Sequence, residues 1–205
     1  MKVVVAPQAF KGSLSAMAAA RAIARGVLIC DSTTEIVLVP VADGGDGTLS
    51  ALIDSTGGQT FKSVVTGPLG FAVEAEWGVM GDGQTAVIEM AQASGLVLVP
   101  PKRRNPLNTT TRGTGQIIKE ALDKGYSRII VGLGGSATND GGAGMASALG
   151  VQFLDRDGKI VSDGGAALSE LAHIDLATIH PGLKSAEIIG ATDVTNPLCG
   201  PTGAS

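Results

Sequence analysis

Three times in this chain a short run of β-branched and aliphatic residues gives way to a loop of small residues and then to a helix-compatible stretch. This alternation constrains the fold more than any other feature. The fullest instance is Arg128-Ile129-Ile130-Val131, followed by the glycine-rich loop of residues 132–144 and a helical run that ends at Leu149-Gly150. The second is residues 2–6, with the loop Gln8-Ala9-Phe10-Lys11-Gly12-Ser13 and a helix, capped by Ser13 or Ser15, reaching residue 28. The third is residues 35–39, with Ala42-Asp43-Gly44-Gly45-Asp46-Gly47-Thr48 and a helix over residues 49–55. Repeated strand, loop and helix units predict an α/β fold: a Rossmann-like, mostly parallel sheet with helices on both faces, whose ligands sit at the carboxyl ends of its strands. Residues that follow strands are therefore the candidates for chemistry.

Glycine accounts for 30 of the 205 residues, about twice its usual ~7% share. No collagen-like period is present, so the excess belongs in loops and close-packed helix starts. Glycine lets backbone N–H groups converge on a ligand with no Cβ in the way, and a following helix N-terminus adds partial positive charge. A phosphate or carboxylate is the expected guest of the loop after Val131. With 44% hydrophobic and 17% charged residues, the chain has the material for a real core.

A net charge of −4, with neither a basic stripe nor interleaved aromatics, argues against a nucleic-acid partner. The first apolar run is too short for a signal or membrane segment and breaks at Pro7. Cys30 and Cys199 have no metal-like spacing and read as free thiols. These features together predict a cytoplasmic protein with no membrane partner.

The texture divides the chain in three. Residues 1–58 form a first α/β segment of the Rossmann-like domain. Residues 59–92 are β-rich, with three antiparallel strands over 60–65, 73–79 and 85–90, either a second lobe or a distinct edge of the sheet. Residues 93–205 return to α/β texture, with a helix over 116–124, the glycine-rich unit, a hairpin turn at Asp155-Arg156-Asp157-Gly158, a short helix over 164–171, a connection over 173–176 and a last strand over 187–191. Trp77 is expected to pack in a core. The proline-bracketed Lys102-Arg103-Arg104 is either a solvated loop or a steering patch for anions.

The loop after Val131 lacks the lysine of a Walker A sequence. Residues 132–137 read G-x-G-x-x-A, with Asp155 at dinucleotide-fingerprint spacing. Asp155 falls in a hairpin turn, however, and the helix starts near Asp140, several residues late for that fingerprint. Phosphoryl transfer fits better, because it needs backbone donors, a cation against phosphate, carboxylates for Mg²⁺ and a group that positions the attacking hydroxyl. Asp43, Asp46, Asp140 and Asp193 lie in loops after strands, as do Lys11 and Arg112. Asp46 and Asp140 serve equally well as helix caps. His173 and His180 have no metal spacing and no serine partner, so no hydrolase triad is expected.

Phe10-Lys11-Gly12-Ser13-Leu14-Ser15, Ala42 with Asp43-Gly44-Gly45-Asp46-Gly47-Thr48, Thr109-Thr110-Thr111-Arg112-Gly113-Thr114-Gly115, residues 132–144 and Asp193-Val194-Thr195-Asn196-Pro197-Leu198-Cys199-Gly200-Pro201 occur together and in order. On them the chain resembles the type 1 glycerate kinases along essentially its whole length. The resemblance implies transfer of the ATP γ-phosphoryl group to a hydroxyl of glycerate with Mg²⁺, and a Rossmann-like domain plus a second α/β domain with the active site between them. It further implies that Lys11 contacts phosphate or the glycerate carboxylate, that Asp43 orients the hydroxyl or holds metal, that Arg112 clamps an anion and that Asp193 serves as metal ligand or base. Gly134, Gly135, Ser136, Thr138, Asn139 and Gly141 would cradle the nucleotide phosphates, and Ser13, Gly44, Gly45 and Thr114 would meet the substrate.

Two departures stand out. The family pattern reads Ala-Pro-Asp-Ser-Phe-Lys where this chain has Gln8 and Ala9. Family members also continue beyond the Gly203-Ala204-Ser205 region, so the chain is expected to be an N-terminal portion with its second domain incomplete at the C-terminus. The alternative is a catalytically inactive fragment or pseudo-kinase of the same fold, and a dinucleotide-binding oxidoreductase is the third reading. The choice between monomer and homo-oligomer, and between the 2- and 3-hydroxyl of glycerate, stays open.

Overall fold

The units that begin at residues 2 and 35 pair with each other. In the computed structural model, which describes residues 1–10 and 13–203, strands β1 (Lys2–Val5) and β2 (Glu35–Leu38) run parallel as a two-stranded sheet. Helix α1 (Ala16–Cys30) connects them. It starts at Ser15, whose Oγ accepts the Ala18 N–H at 3.1 Å, and so satisfies one of the amides that a helix start leaves without a partner. Its buried face is built from Ala16, Ala19, Ala20 and Ala24. The unbroken apolar pattern of β1 led to the expectation of cover on both faces. Val5 is buried but Val4 is 60% exposed, so that cover is realised on one side.

After helix α2 (Thr48–Thr56) come strands β3 (Gln59–Thr66), β4 (Ala72–Val79), β5 (Thr85–Glu89), β6 (Arg128–Gly132), β7 (Gln152–Leu154), β8 (His173–Asp175) and β9 (Glu187–Ala191). Five of them make a sheet in the order β3-β4-β5-β6-β9. The β3, β4 and β5 pairings are antiparallel and the β5, β6 and β9 pairings parallel, so the β-rich stretch after residue 58 hydrogen-bonds onto the parallel strands as an antiparallel edge. Strand β5, at the centre, is buried at all five residues, as a strand covered on both faces must be. Helix α3 (Ala91–Ser94) follows it, then α4 (Arg112–Asp123) and α5 (Ala143–Ala148).

Side chains alternate across a strand, and β5 shows what each face meets. Ile88 packs with Trp77, Ile117, Ile118 and Ala121 on the α4 side, while Val87 packs with Leu49 and Ile53 of α2 on the other. Trp77 is fully buried, stacked on Phe61 at 4.9 Å between ring centroids and edge-on to Tyr126, with its indole N–H donated to Ser63 Oγ at 3.0 Å. It is the packing residue that its size predicts.

Helices α4 and α5 touch backbone to backbone. A Cβ on Gly115 would collide with the Met145 carbonyl, and one on Gly144 with Thr110 Oγ1 and the Arg112 amide. Close packing therefore explains these two glycines. Helix α4 begins at Arg112, so residues 112–115, expected to be loop, form its first turn. The turn at Asp155 closes through its N–H to the Lys159 carbonyl at 2.9 Å, but beyond it the chain returns only as a single bridge, Leu154 to Ile160. The true partner of β7 is β8, the segment expected to be a connection. Among the described residues no helix is long and apolar enough to cross a membrane.

Candidate active site

Three loops leave the carboxyl ends of β2, β6 and β9 and meet. Gly44 is the junction. Its carbonyl accepts the Gly134 N–H at 2.9 Å, while the Leu133 N–H reaches the Ala191 carbonyl at 3.0 Å. A Cβ on Gly44 would strike that same Ala191 carbonyl, one on Gly132 would come within 2.7 Å of the Gly44 oxygen, and one on Gly134 within 2.5 Å of Gly45 Cα. These loops carry glycine because their backbones lie in contact with one another. Gly44 adds a second reason, a φ of 89°, which a side chain disfavours.

Between the loops lies a cavity of about 330 Å³ bordered by Asp43, Gly45, Asp46, Gly134, Gly135 and Asp193. Three carboxylates from two strand ends therefore face one space, beside a glycine loop. Asp43 is held in place: Oδ1 accepts the Gly45 N–H at 3.0 Å and Oδ2 accepts the Gln8 side-chain amide at 2.9 Å. Asp46 and Asp193 are exposed. The loop of residues 43–47 is anchored from below by Glu89, the last residue of β5. Only 2% exposed, its carboxylate accepts the Gly47 and Leu49 N–H groups, each at 3.1 Å, at the start of α2. Burial pushes the Glu89 carboxyl above its ordinary value against those two donors, and the nearby charge of Asp46 adds to the rise. The role of Glu89 was missed in the sequence, although an acid closing the otherwise apolar run Thr85-Ala86-Val87-Ile88 was a signal for it.

A model of the glycerate kinase family matches residues 3–205. The chain belongs to the glycerate kinase family. It is 55% identical to a glycerate kinase of Bacillus subtilis strain 168 and 53% identical to the glycerate 2-kinase of Escherichia coli K12, each over 205 residues that cover 100% of this chain and 54% of the relative. A crystal structure of a protein provisionally named glycerate kinase 2, from Salmonella typhimurium LT2, superposes with a TM-score of 0.91 at 48% identity, covering 100% of this chain and 55% of that one. The chain thus spans about half the length of the curated relatives it matches.

In this glycerate kinase family member, Asp43, Asp193, Gly44, Gly45, Gly134 and Gly135 lie together at the cavity and its junction. Ser13 borders an adjoining hollow of about 290 Å³ shared with Asp46 and Gly47. Lys11 lies outside the described residues. Ser136, Thr138 and Asn139 turn to a different cavity beside Leu96 and Asn105.

Arg112 and Thr114 depart from the expectation, and Asp140 takes the capping role that the sequence left open. Arg112 is not brought to the cavity: its guanidinium grips Asp163 through two bonds of 2.6 Å, beside Ser147 and Phe153. The ion it clamps is a residue of its own chain. That bond holds the Asp163 carboxyl below the ordinary carboxylate value and raises Arg112. Thr114, 1% exposed, shares a 2.9 Å hydrogen bond with Ser94, because it sits on the inner face of α4.

Asp140, also 1% exposed, accepts from the Thr111 N–H and hydroxyl at 2.9 and 2.8 Å, from Gly142 N–H at 3.0 Å and from Gly144 N–H at 3.2 Å. It is a structural tie between the starts of α4 and α5. Gly141, at φ 59°, and Gly142, at φ 78°, turn the chain into α5, where Asp140 takes up the orphan amides.

No cluster of three or more His, Cys, Asp or Glu able to hold a metal occurs among the described residues, so these residues build no closed cage. Mg²⁺ does not require one, since it is commonly held by one or two carboxylates with water and substrate phosphates completing the shell. Asp43 and Asp193, which border the same cavity, are carboxylates of the type such a site uses.

Proposed function

We propose that this chain carries the phosphoryl-transfer cleft of a glycerate kinase, acting with ATP and Mg²⁺ on a hydroxyl of glycerate. The observation that carries the reading is the meeting of the Asp43, Gly134 and Asp193 loops around one cavity. Phosphoryl transfer asks little covalent chemistry of a protein and much positioning and charge stabilisation. Asp43, fixed by Gly45 and Gln8, orients the attacking hydroxyl. Asp193 takes its proton as the oxygen bonds to the γ-phosphorus and the bond to ADP breaks. Mg²⁺, if bound, would be held by Asp43 and Asp193 and would supply neutralisation of phosphate charge. Lys11 is assigned to the phosphate or to the glycerate carboxylate. Support for the substrate comes from relatives named glycerate kinase at 50–55% identity, and exposed free thiols at Cys30 and Cys199 suit a reducing cytoplasm.

The test is ADP release with glycerate, measured on the open reading frame that contains this sequence, beside Asp43→Asn and Asp193→Asn. A fall of at least a hundredfold in turnover is expected for each. Unchanged turnover in either would remove that residue from the assignment.

One observation favours the second reading, a catalytically inactive member of the same fold. Gln8 donates its amide to Asp43 Oδ2 where the family pattern places a carboxylate. Absence of turnover in both the parent and Gln8→Asp, with nucleotide binding retained, would favour that reading. Turnover in the parent removes it.

A further inference from the structure

The loop after β6 has two sides. Gly134 and Gly135 border the carboxylate cavity, whereas Ser136, Thr138 and Asn139 border the second one, of about 490 Å³. That volume falls within the roughly 300–1,000 Å³ of small-molecule pockets. Its wall is built, not incidental. The Leu96 N–H donates to the Gly135 carbonyl at 2.8 Å, the Ala137 N–H to the Ser94 carbonyl at 2.9 Å, and Gly95 and Ser136 form an antiparallel bridge. Thr109 Oγ1 holds the Ala137 carbonyl at 2.8 Å from the other side.

The chemistry of this second cavity differs from that of the first. Leu96, Val99, Pro106 and Leu198 give it an apolar wall, and Asn105 and Arg104 give it a polar edge. Leu96 is 39% exposed and Leu198 60%, so both present apolar surface. Glycerate, a small hydroxy acid, has no apolar surface to set against four such residues. A planar heterocycle with hydrogen-bonding edges does. The basic run 102–104 also finds a division of labour here. Arg103 lies over the Phe71 ring at 5.5 Å, while Arg104, its Nε donated to the Val99 carbonyl at 3.4 Å, lines this cavity.

We propose that the nucleoside of a nucleoside triphosphate occupies this second cavity, its base against Leu96, Val99 and Pro106, with the phosphate chain crossing Gly135 into the carboxylate cavity. The assignment rests on the kinase reading above and extends it. One loop then divides the two halves of one ligand: its glycines pass the phosphates and its residues 136–139 face the sugar and base.

Photolabelling with 8-azido-ATP and Mg²⁺ tests this without altering the protein. ATP-protectable label is expected within residues 96–106, within 136–139 or on Leu198. Protectable label elsewhere overturns the subsite and leaves the kinase reading standing. No protectable label together with no ATP binding by calorimetry overturns both. As a second measurement, Leu96→Trp, which fills the slot, should weaken ATP binding at least tenfold and inorganic tripolyphosphate binding less than twofold, with Leu96→Met within twofold of the parent for both. Equal weakening of ATP and tripolyphosphate by Leu96→Trp in a protein that unfolds at the parental temperature would overturn the division.

Discussion

Replacing Asp140 by asparagine removes one charge and changes almost nothing in size, yet it should be among the costlier single changes in this chain. Four donors converge on the carboxylate at 2.8–3.2 Å, three of them on Oδ2, in a site 1% exposed. An asparagine oxygen at the Oδ2 position keeps the two Thr111 contacts and Gly144, but its NH₂ then faces the Gly142 N–H, donor against donor. A buried donor without a partner costs about 1–3 kcal/mol, and the three surviving bonds each fall from the ~1.5–3 kcal/mol of a charged acceptor to the ~0.5–1.5 kcal/mol of a neutral one. Relief from burying a charge offsets part of this. The net expectation is a loss of about 2–4 kcal/mol, which at roughly 2–4 °C per kcal/mol for a domain of this size lowers the melting temperature by roughly 5–15 °C. Urea and thermal unfolding followed by circular dichroism measure it. Since Asp140 ties the loop of residues 134–139 to α4 and α5, tripolyphosphate affinity should fall as well. A variant within 0.5 kcal/mol (roughly the scatter of neutral surface changes) of the parent would refute the account of Asp140 as a four-donor tie.

Two further outcomes follow from titratable groups. Because burial raises the Glu89 carboxyl in the folded state, its contribution to stability is fully present below the unfolded carboxylate value and is lost as pH rises through the folded one. The stability of the parent relative to Glu89→Gln, in urea unfolding between pH 4 and 7, should therefore decline as pH rises, and a rising difference would contradict the burial argument. For Asp163 the sign is opposite: held low by Arg112, it contributes stability above the unfolded carboxylate value that is lost as pH falls through the folded one. With both side chains about a third exposed, Arg112→Ala should cost about 1 kcal/mol or less and leave turnover within a few-fold. A hundredfold loss of turnover with the fold intact would return Arg112 to the site.

Much of the layout of the candidate site was readable from order alone. Asp43, the 134–135 glycines and Asp193 were placed on one rim because each follows a strand, and strands in such folds present their carboxyl ends together. Ser15 was among the predicted caps and Trp77 the predicted packing residue for equally local reasons. Arg112 was misplaced because its partner Asp163 is far along the chain and lies in no periodic element, so nothing near either residue announces the pair. Thr114 was misread because residues 112–115 carry loop-like glycines, and only the contact of Gly115 with Met145 shows that those glycines serve helix packing.

The loop from Gly132 to Gly144 draws the line between the two kinds of information. Apolar periodicity, turn chemistry and the spacing of small residues are short-range properties, and they suffice to write down strand, loop and helix and to place polar groups after strands. The loop's purpose depends on what lies across from it. Gly44 brings the β2 loop against Gly134 and Ala191, Asp140 gathers amides from two helices, and residues 134–139 divide two cavities. Those contacts join segments distant in sequence and follow from the order of strands in the sheets and the approach of α4 to α5, long-range packing that no local pattern encodes.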